Sequence, residues 1–211
     1  MAHADERSRR DAAFAALVAT VAACRQCPAM EGRRRVLTRA NGDIDARVMF
    51  IAEAPGRGGA EKTGIPFSGD FSGRTFERLL DEVNWTRADI FITNAALCNP
   101  QRTSGANRPP SRQELANCSG HLRATLIIVD PPVVVTLGAV ALAALGRIEP
   151  HGLKLTEARG RPHTWYGLTL VPLFHPSPKV LAWFPYERMA ADFRALRAVV
   201  DATITGNSRR S

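Results

Sequence analysis

Arg47-Val48-Met49-Phe50-Ile51 runs directly into Ala52-Glu53-Ala54-Pro55-Gly56. The first five residues form an apolar run of strand length with no helical periodicity, as expected for a strand buried on both faces. The next five open a long loop. It continues through Lys62-Thr63-Gly64-Ile65-Pro66-Phe67 to Gly69-Asp70-Phe71-Ser72-Gly73, where a helical pattern begins. Ligands of open α/β sheets bind just outside the carboxyl ends of the strands. A loop of this length is functional more often than connective. Glu53, Asp70 and Phe67 therefore stand out as candidates for an active-site loop.

The same pattern recurs on either side. Residues 90–95, 133–137 and 169–174 are further short apolar runs, and helical spacing covers 8–23, 74–83, 111–128, 139–145 and 185–202. Strands alternating with helices predict a three-layer α/β/α fold around a central, mainly parallel sheet of four strands. Residues 1–203 read as one domain, and 204–211 as a flexible tail. Residues 152–168 read as a β-hairpin or an irregular insertion before the last strand. Gln101 to Pro110, rich in Pro, Gly and Arg, reads as an exposed, mobile loop.

The formal net charge of +8 favours a polyanionic partner. Only Lys62, Lys154 and Lys179 are lysines, so a compositional bias toward Arg and Ala is the competing explanation. The opening residues lack the apolar stretch of a signal peptide, and no apolar run is long enough to span a bilayer. The expectations are a cytoplasmic monomer with no membrane association. Gly56-Arg57-Gly58-Gly59 follows a strand but does not fit G-x-G-x-x-G, and no G-K-[ST] follows. No nucleotide cofactor is expected.

Cys24 and Cys27 form a C-x-x-C ahead of Pro28, while Cys98 ends the second strand and Cys118 falls inside the next helix. In a cytoplasmic setting such thiols act as ligands more often than as disulfides. A zinc ribbon would show two tight pairs, and only one is present. One pair with two dispersed thiolates suits a four-iron, four-sulfur cluster at least as well. Cys98 and Cys118 also fit as small, inert, buried residues.

Taken in order, the motifs are A-E-A-P-G (52–56), T-G-I-P-F-S-G-D-F-S-G (63–73), I-T-N-A-A-L-C (92–98), V-V-T-L-G (134–138) and H-P-S-P (175–178). The series resembles the iron–sulfur branch of the uracil-DNA glycosylase superfamily, over about residues 24 to 200. Glu53 and Asn94 resemble the strict-uracil group, family 4. The spacing from Pro55 to Thr63, the G-D-x-S-G around Asp70 and H-P-S resemble the broader-specificity group, family 5. The resemblance implies the superfamily's fold and DNA containing uracil as partner. It also implies a 4Fe-4S cluster on Cys24, Cys27, Cys98 and Cys118, structural rather than redox, since the hydrolysis moves no electrons.

The residue types suit that chemistry. Breaking an N-glycosidic bond leaves positive charge on the sugar and negative charge on the base, so fixed donors in a dry pocket favour the reaction. His175 is placed to donate to the uracil oxygen beside the breaking bond. A carboxylate opposite would position the attacking water. Asp70 matches its local motif most fully, with Glu53 close behind, and either acid could instead be a surface group or a helix cap. The Asn94 amide can accept from uracil N3–H and donate to O4, a pattern that cytosine reverses. Phe67 offers a flat face for an extruded base, with Ala54 and Gly56 lining the pocket. Ser177, Pro178 and Lys179 would meet the phosphate and fill the vacated stack. Enzymes of the strict group set a bulky side chain against the base's 5-position just after the first motif. Here Arg57-Gly58-Gly59-Ala60 is mostly small, so a 5-substituted uracil should fit better. The alternatives to uracil excision are a broader-specificity glycosylase and a catalytically silent iron–sulfur DNA-binding module.

Overall fold

A computed structural model describes residues 2–207. Its elements in chain order are α1 (Ala2–Ala23), β1 (Val48–Ala52), α2 (Ala60–Thr63), α3 (Phe71–Asp81), β2 (Ile90–Asn94), α4 (Arg112–Val129), β3 (Val133–Leu137), α5 (Ala139–Leu145), α6 (Leu155–Ala158), β4 (His163–Trp165), β5 (Leu168–Leu173), α7 (Pro178–Leu181) and α8 (Tyr186–Asn207). The strands form one sheet in the order β2-β1-β3-β5-β4. The first four are parallel neighbours, and β4 alone runs antiparallel, against β5. No helix among the described residues is long and apolar enough to cross a membrane.

The sheet has five strands where the sequence predicts four. The fifth is the edge strand β4, three residues long and half polar, joined to β5 through Tyr166-Gly167. Both turn residues have positive φ, 52° and 72°, which is the two-residue hairpin that matches strand twist. So short a strand carries too little apolar alternation to be read. Helix α8 continues to Asn207, into the stretch expected as a tail, and residues 208–211 lie outside the described residues.

The parallel strands are apolar throughout because both faces are covered. Met49, Ile51, Phe91, Val134 and Leu170 point into one core with α1, α4 and α5. Val48, Phe50, Ile90, Val135 and Val171 point into the other, with α3 and α8. Helix α1 is fastened to the end of α4 by Arg10, whose guanidinium donates to Ile128 O and Val129 O, both at 2.7 Å. In the second core Phe50 stacks on Phe193 at 5.9 Å and meets Phe76 edge-on at 5.2 Å. Such a contact set leaves no easy collapse around a deletion. Phe50→Ala should lower stability by about 3–5 kcal/mol, measured as a shift in urea midpoint at unchanged m-value.

Candidate active site

All four parallel strands end on the same side, and a cleft of about 620 Å³ opens there. Its walls include Glu53, Ala54, Gly56, Phe67, Asp70 and Asn94, and on the opposite side His175, Ser177, Pro178 and Lys179. These ten residues, all expected at the site from the sequence, thus reach one cavity, although they come from four separate segments.

Glu53 and Asn94 stand side by side. Ala52 pairs with Asn94 at the end of the β1–β2 ladder, and the Ala96 N–H donates to the Glu53 carbonyl at 3.0 Å. Burial pushes the Glu53 carboxyl above the ordinary range, and its side chain has no hydrogen-bond partner among the described residues. Asn94 is 4% exposed, and its buried Nδ2 has no hydrogen-bond partner among the described residues. An unpaired buried donor costs about 1–3 kcal/mol, so this atom is poised to receive an acceptor.

His175 follows β5 and faces Phe67 with ring centroids 5.4 Å apart. Part of its surface opens to the cleft, but surrounding atoms crowd it enough to deny the ring its hydration. Burial lowers its pKa to about 4, and the nearby Asp70 charge only partly opposes this. The ring is neutral at physiological pH.

Phe67 sits at φ 50°, a left-handed conformation that costs a bulky residue about 1–3 kcal/mol. Its neighbours hold it there. The ring stacks on Phe76 at 4.5 Å, and Arg87 donates to Pro66 O and Phe67 O, each at 2.7 Å, while its Nε is held by Glu77 at 2.6 Å. Arg87 escaped sequence reading because it lies twenty residues downstream with no local motif.

Asp70 caps α3, its Oδ1 accepting the Gly73 N–H at 2.8 Å. Its Oδ2 packs against the first loop: a Cβ on Gly56 would stand 2.9 Å away, and one on Gly59 would collide with it. The space that the small residues after Pro55 leave free is thus taken up by this carboxylate.

Residues 101–110 are mostly exposed, as expected. The tip is exposed, but the loop is stapled. Arg102 N–H donates to Ala106 O at 2.8 Å, and Arg108 forks onto Glu114 at 2.7 and 2.6 Å. Asn107, Arg108 and Pro109 form one wall of the cleft. Nothing in the sequence of this loop marks them. Ser177 caps the short helix α7, where Lys179 is exposed, and two residues past the helix Trp183 is 58% exposed.

The four cysteines gather just past α1, in the loop after β2 and on α4. Strand β2 ends at Asn94, so Cys98 lies four residues beyond the strand that the sequence has it end. All four are free thiols, and the charges of Cys24, Cys27 and Cys118 act on Cys98. Burial raises the Cys98 thiol to about 12 and the Cys118 thiol to about 11. Arg35 approaches the group, donating to Cys24 O at 2.8 Å, and Asn117 Nδ2 lies 3.3 Å from Cys27 Sγ. Among the described residues, no three His, Cys, Asp or Glu close up tightly enough for a single metal ion.

Comparison with known proteins agrees with this geometry. The uracil DNA glycosylase superfamily matches residues 40–197. The chain belongs to that superfamily. Within it, a type-4 uracil-DNA glycosylase of Thermotoga maritima is 36% identical over 155 residues, covering 73% of this chain and 76% of that protein. A type-4 enzyme of Saccharolobus solfataricus is 28% identical over 85% of this chain and 82% of its own length. A type-5 uracil-DNA glycosylase of Pyrobaculum aerophilum is 33% identical over 65% of this chain and 64% of its own. Likeness to both types matches the mixed motifs of the sequence.

The depressed pKa of His175 has a consequence for stability. Between about pH 6.5 and 4 the unfolded chain binds a proton that folded His175 refuses, so stability falls as pH drops through that window. The share due to this residue reaches about 3 kcal/mol at the lower end. Urea midpoints should therefore fall less steeply from pH 7 to 4 in His175→Gln than in the wild type. Parallel slopes would contradict the assignment.

Proposed function

We propose that the chain excises uracil from DNA by hydrolysing the N-glycosidic bond, leaving an abasic site. The observation that carries this reading is the convergence of a neutral His175, a free Glu53 and the unpaired amide of Asn94 around the face of Phe67. An extruded base stacked on Phe67 presents O4 and N3–H to the Asn94 amide and O2 to His175. The buried Nδ2 thereby gains the acceptor it lacks. Cytosine would put a donor against a donor.

Of the two acids, Glu53 is the better placed to handle water. Asp70 spends one oxygen on its helix cap, whereas the Glu53 carboxylate is uncommitted and its raised pKa suits a base. Glu53 takes a proton from water as the water oxygen bonds to C1′. The C1′–N1 bond breaks, and its electron pair leaves with uracil as an anion. His175, neutral, donates a hydrogen bond to O2 where that charge collects. The uracil anion then picks up a proton. Ser177, Pro178 and Lys179 at the rim meet the DNA backbone and the gap left by the base, and the chain's net positive charge of +8 favours that approach.

The cysteine group fits a 4Fe-4S cluster held by Cys24, Cys27, Cys98 and Cys118. The cationic irons would stabilise the thiolates of Cys98 and Cys118, which burial otherwise disfavours. The cluster would supply folding energy rather than redox chemistry, tying the end of α1, the loop after β2 and α4 together.

His175→Ala should slow single-turnover uracil excision by roughly 10²–10³, with DNA affinity largely kept. Glu53→Gln should cost roughly 10² or more, and more than Asp70→Asn on the same oligonucleotide. Wild-type rates in Glu53→Gln would remove it from the role of base. For the cluster, purified protein should be brown and carry about four irons per chain. Colourless protein with stoichiometric zinc would refute the cluster.

A further inference from the structure

An arginine turns a free donor toward the cysteines. Arg35 lies between α1 and β1, with its side chain partly buried. Its Nη1 donates to Arg33 O and its Nη2 to Cys24 O, both at 2.8 Å. Its Nε is buried and has no hydrogen-bond partner among the described residues. In a guanidinium, the Nε–H and one Nη2–H project from the same edge of a rigid plane. Cys24 O takes one half of that edge, so the free Nε–H points to the same side. Burial raises the Cys98 thiol, with Cys118 adding to the effect, and the Arg35 charge opposes it. Arg35 thus reaches two of the four cysteines, one through a bond and one through its charge. Two further groups already meet sulfur. Asn117 Nδ2 lies 3.3 Å from Cys27 Sγ, with its Oδ1 held by Gln113 Nε2 at 2.8 Å. The Leu97 backbone bonds the Cys118 thiol.

Four thiolates leave a cubane cluster with net negative charge, and loss of an electron makes that charge smaller. A fixed cation beside the sulfurs favours the more negative state, and N–H···S bonds act in the same direction. We propose that Arg35 is a donor to the cluster sulfurs, and that its Nε–H and its charge raise the cluster's reduction potential and guard it against loss of an electron. The inference rests on the cluster reading given above. The electron in question would pass to an oxidant such as dioxygen or ferricyanide, which is reduced as the cluster is oxidised. Arg35 thereby holds a cluster whose work is structural in its resting state. The position calls for arginine. Two of its nitrogens are spent on the carbonyls of Arg33 and Cys24, and the planar fork still leaves Nε for sulfur. A lysine ammonium would bring the charge without that fork.

The test measures the midpoint potential for one-electron oxidation of the cluster, by voltammetry of the full chain purified with its iron. Wild type, Arg35→Gln, Arg35→Lys and Arg34→Gln are compared. Arg34 is the control for charge alone: its Nε donates to Glu61 O at 2.9 Å, and its side chain lies against Gly64 of the first loop. Arg35→Gln should favour the oxidised cluster about tenfold, the scale of one charge-assisted hydrogen bond. For one electron that is a fall of about 59 mV. Arg35→Lys should fall by less, and Arg34→Gln should match the wild type. A merely structural role would lower iron content or stability without moving the potential of the clusters that remain. Wild-type potential in both Arg35 variants, or an equal fall in Arg34→Gln, would overturn the inference and leave the cluster reading standing. If Arg35→Gln retains no iron, a wild-type potential in Arg35→Lys overturns it equally. A wild-type protein that holds zinc in place of iron would overturn both.

Discussion

Strand β1 is hydrogen-bonded along both edges and covered on both faces, so it can present nothing to a ligand. The first residue on its path able to do so is Glu53. The same constraint acts on its neighbours: β2 first offers Asn94, and beyond β5 the chain offers His175. Because these strands are parallel, their exits lie on one side. Burial of the sheet therefore decides both where the chemistry sits and why its residues lie so far apart in sequence. It also crowds the strand exits, which lowers the His175 pKa and encloses the Asn94 amide.

What the strands position, the loops must hold against their own preferences. Phe67 occupies a backbone region that a bulky residue avoids, and Arg87 and Phe76 keep it there. Lysine could not replace Arg87, since one ammonium lacks the planar fork that reaches two carbonyls and Glu77 at once. The opposite wall is held from two directions. Asn99 and Asn107 tie it to the first loop, and Arg108 ties it to Glu114 on α4. Cys98 and Cys118 bracket this same stretch. Anchoring those two cysteines would thus fix the ends of the segment that walls the cleft.

The sequence showed the layers because parallel strands buried on both faces are written as continuous apolar runs, and Val133–Leu137 and Ala139–Leu145 match their predicted limits. It showed little of β4, where His163 and Thr164 carry no apolar signal. Motif order brought out Glu53, Phe67, Asp70, Asn94 and His175, each at a strand exit or in the loop that follows one. The supporting residues were illegible for a physical reason. Arg87, Asn99 and Asn107 act through backbone carbonyls and amides, which any sequence supplies. Their partners therefore leave no mark on composition or spacing, and only the folded chain shows which carbonyl each donor reaches. The loop at 101–110 shows the same limit. Its Pro, Gly and Arg content indicates exposure, which is correct at the tip, but composition cannot report the hydrogen bonds beneath.

The two acids that made the motif series look mixed are accounted for by the glycines between them. A side chain at Gly59 would collide with Asp70 Oδ2, and one at Gly56 would crowd the same atom. A first loop that carries its bulk just after Pro55 therefore excludes an aspartate at the start of α3. A loop that carries glycine there leaves a hole that such an aspartate fills. Gly56, Gly59 and Asp70 form one unit for this reason, and that unit does not touch the position of Glu53, which is set by the end of β1. Features shared with each of two groups can thus coexist in one pocket without competing for space. Glu53 stands uncommitted at the exit of β1, and Asp70 fills the space beside the first loop.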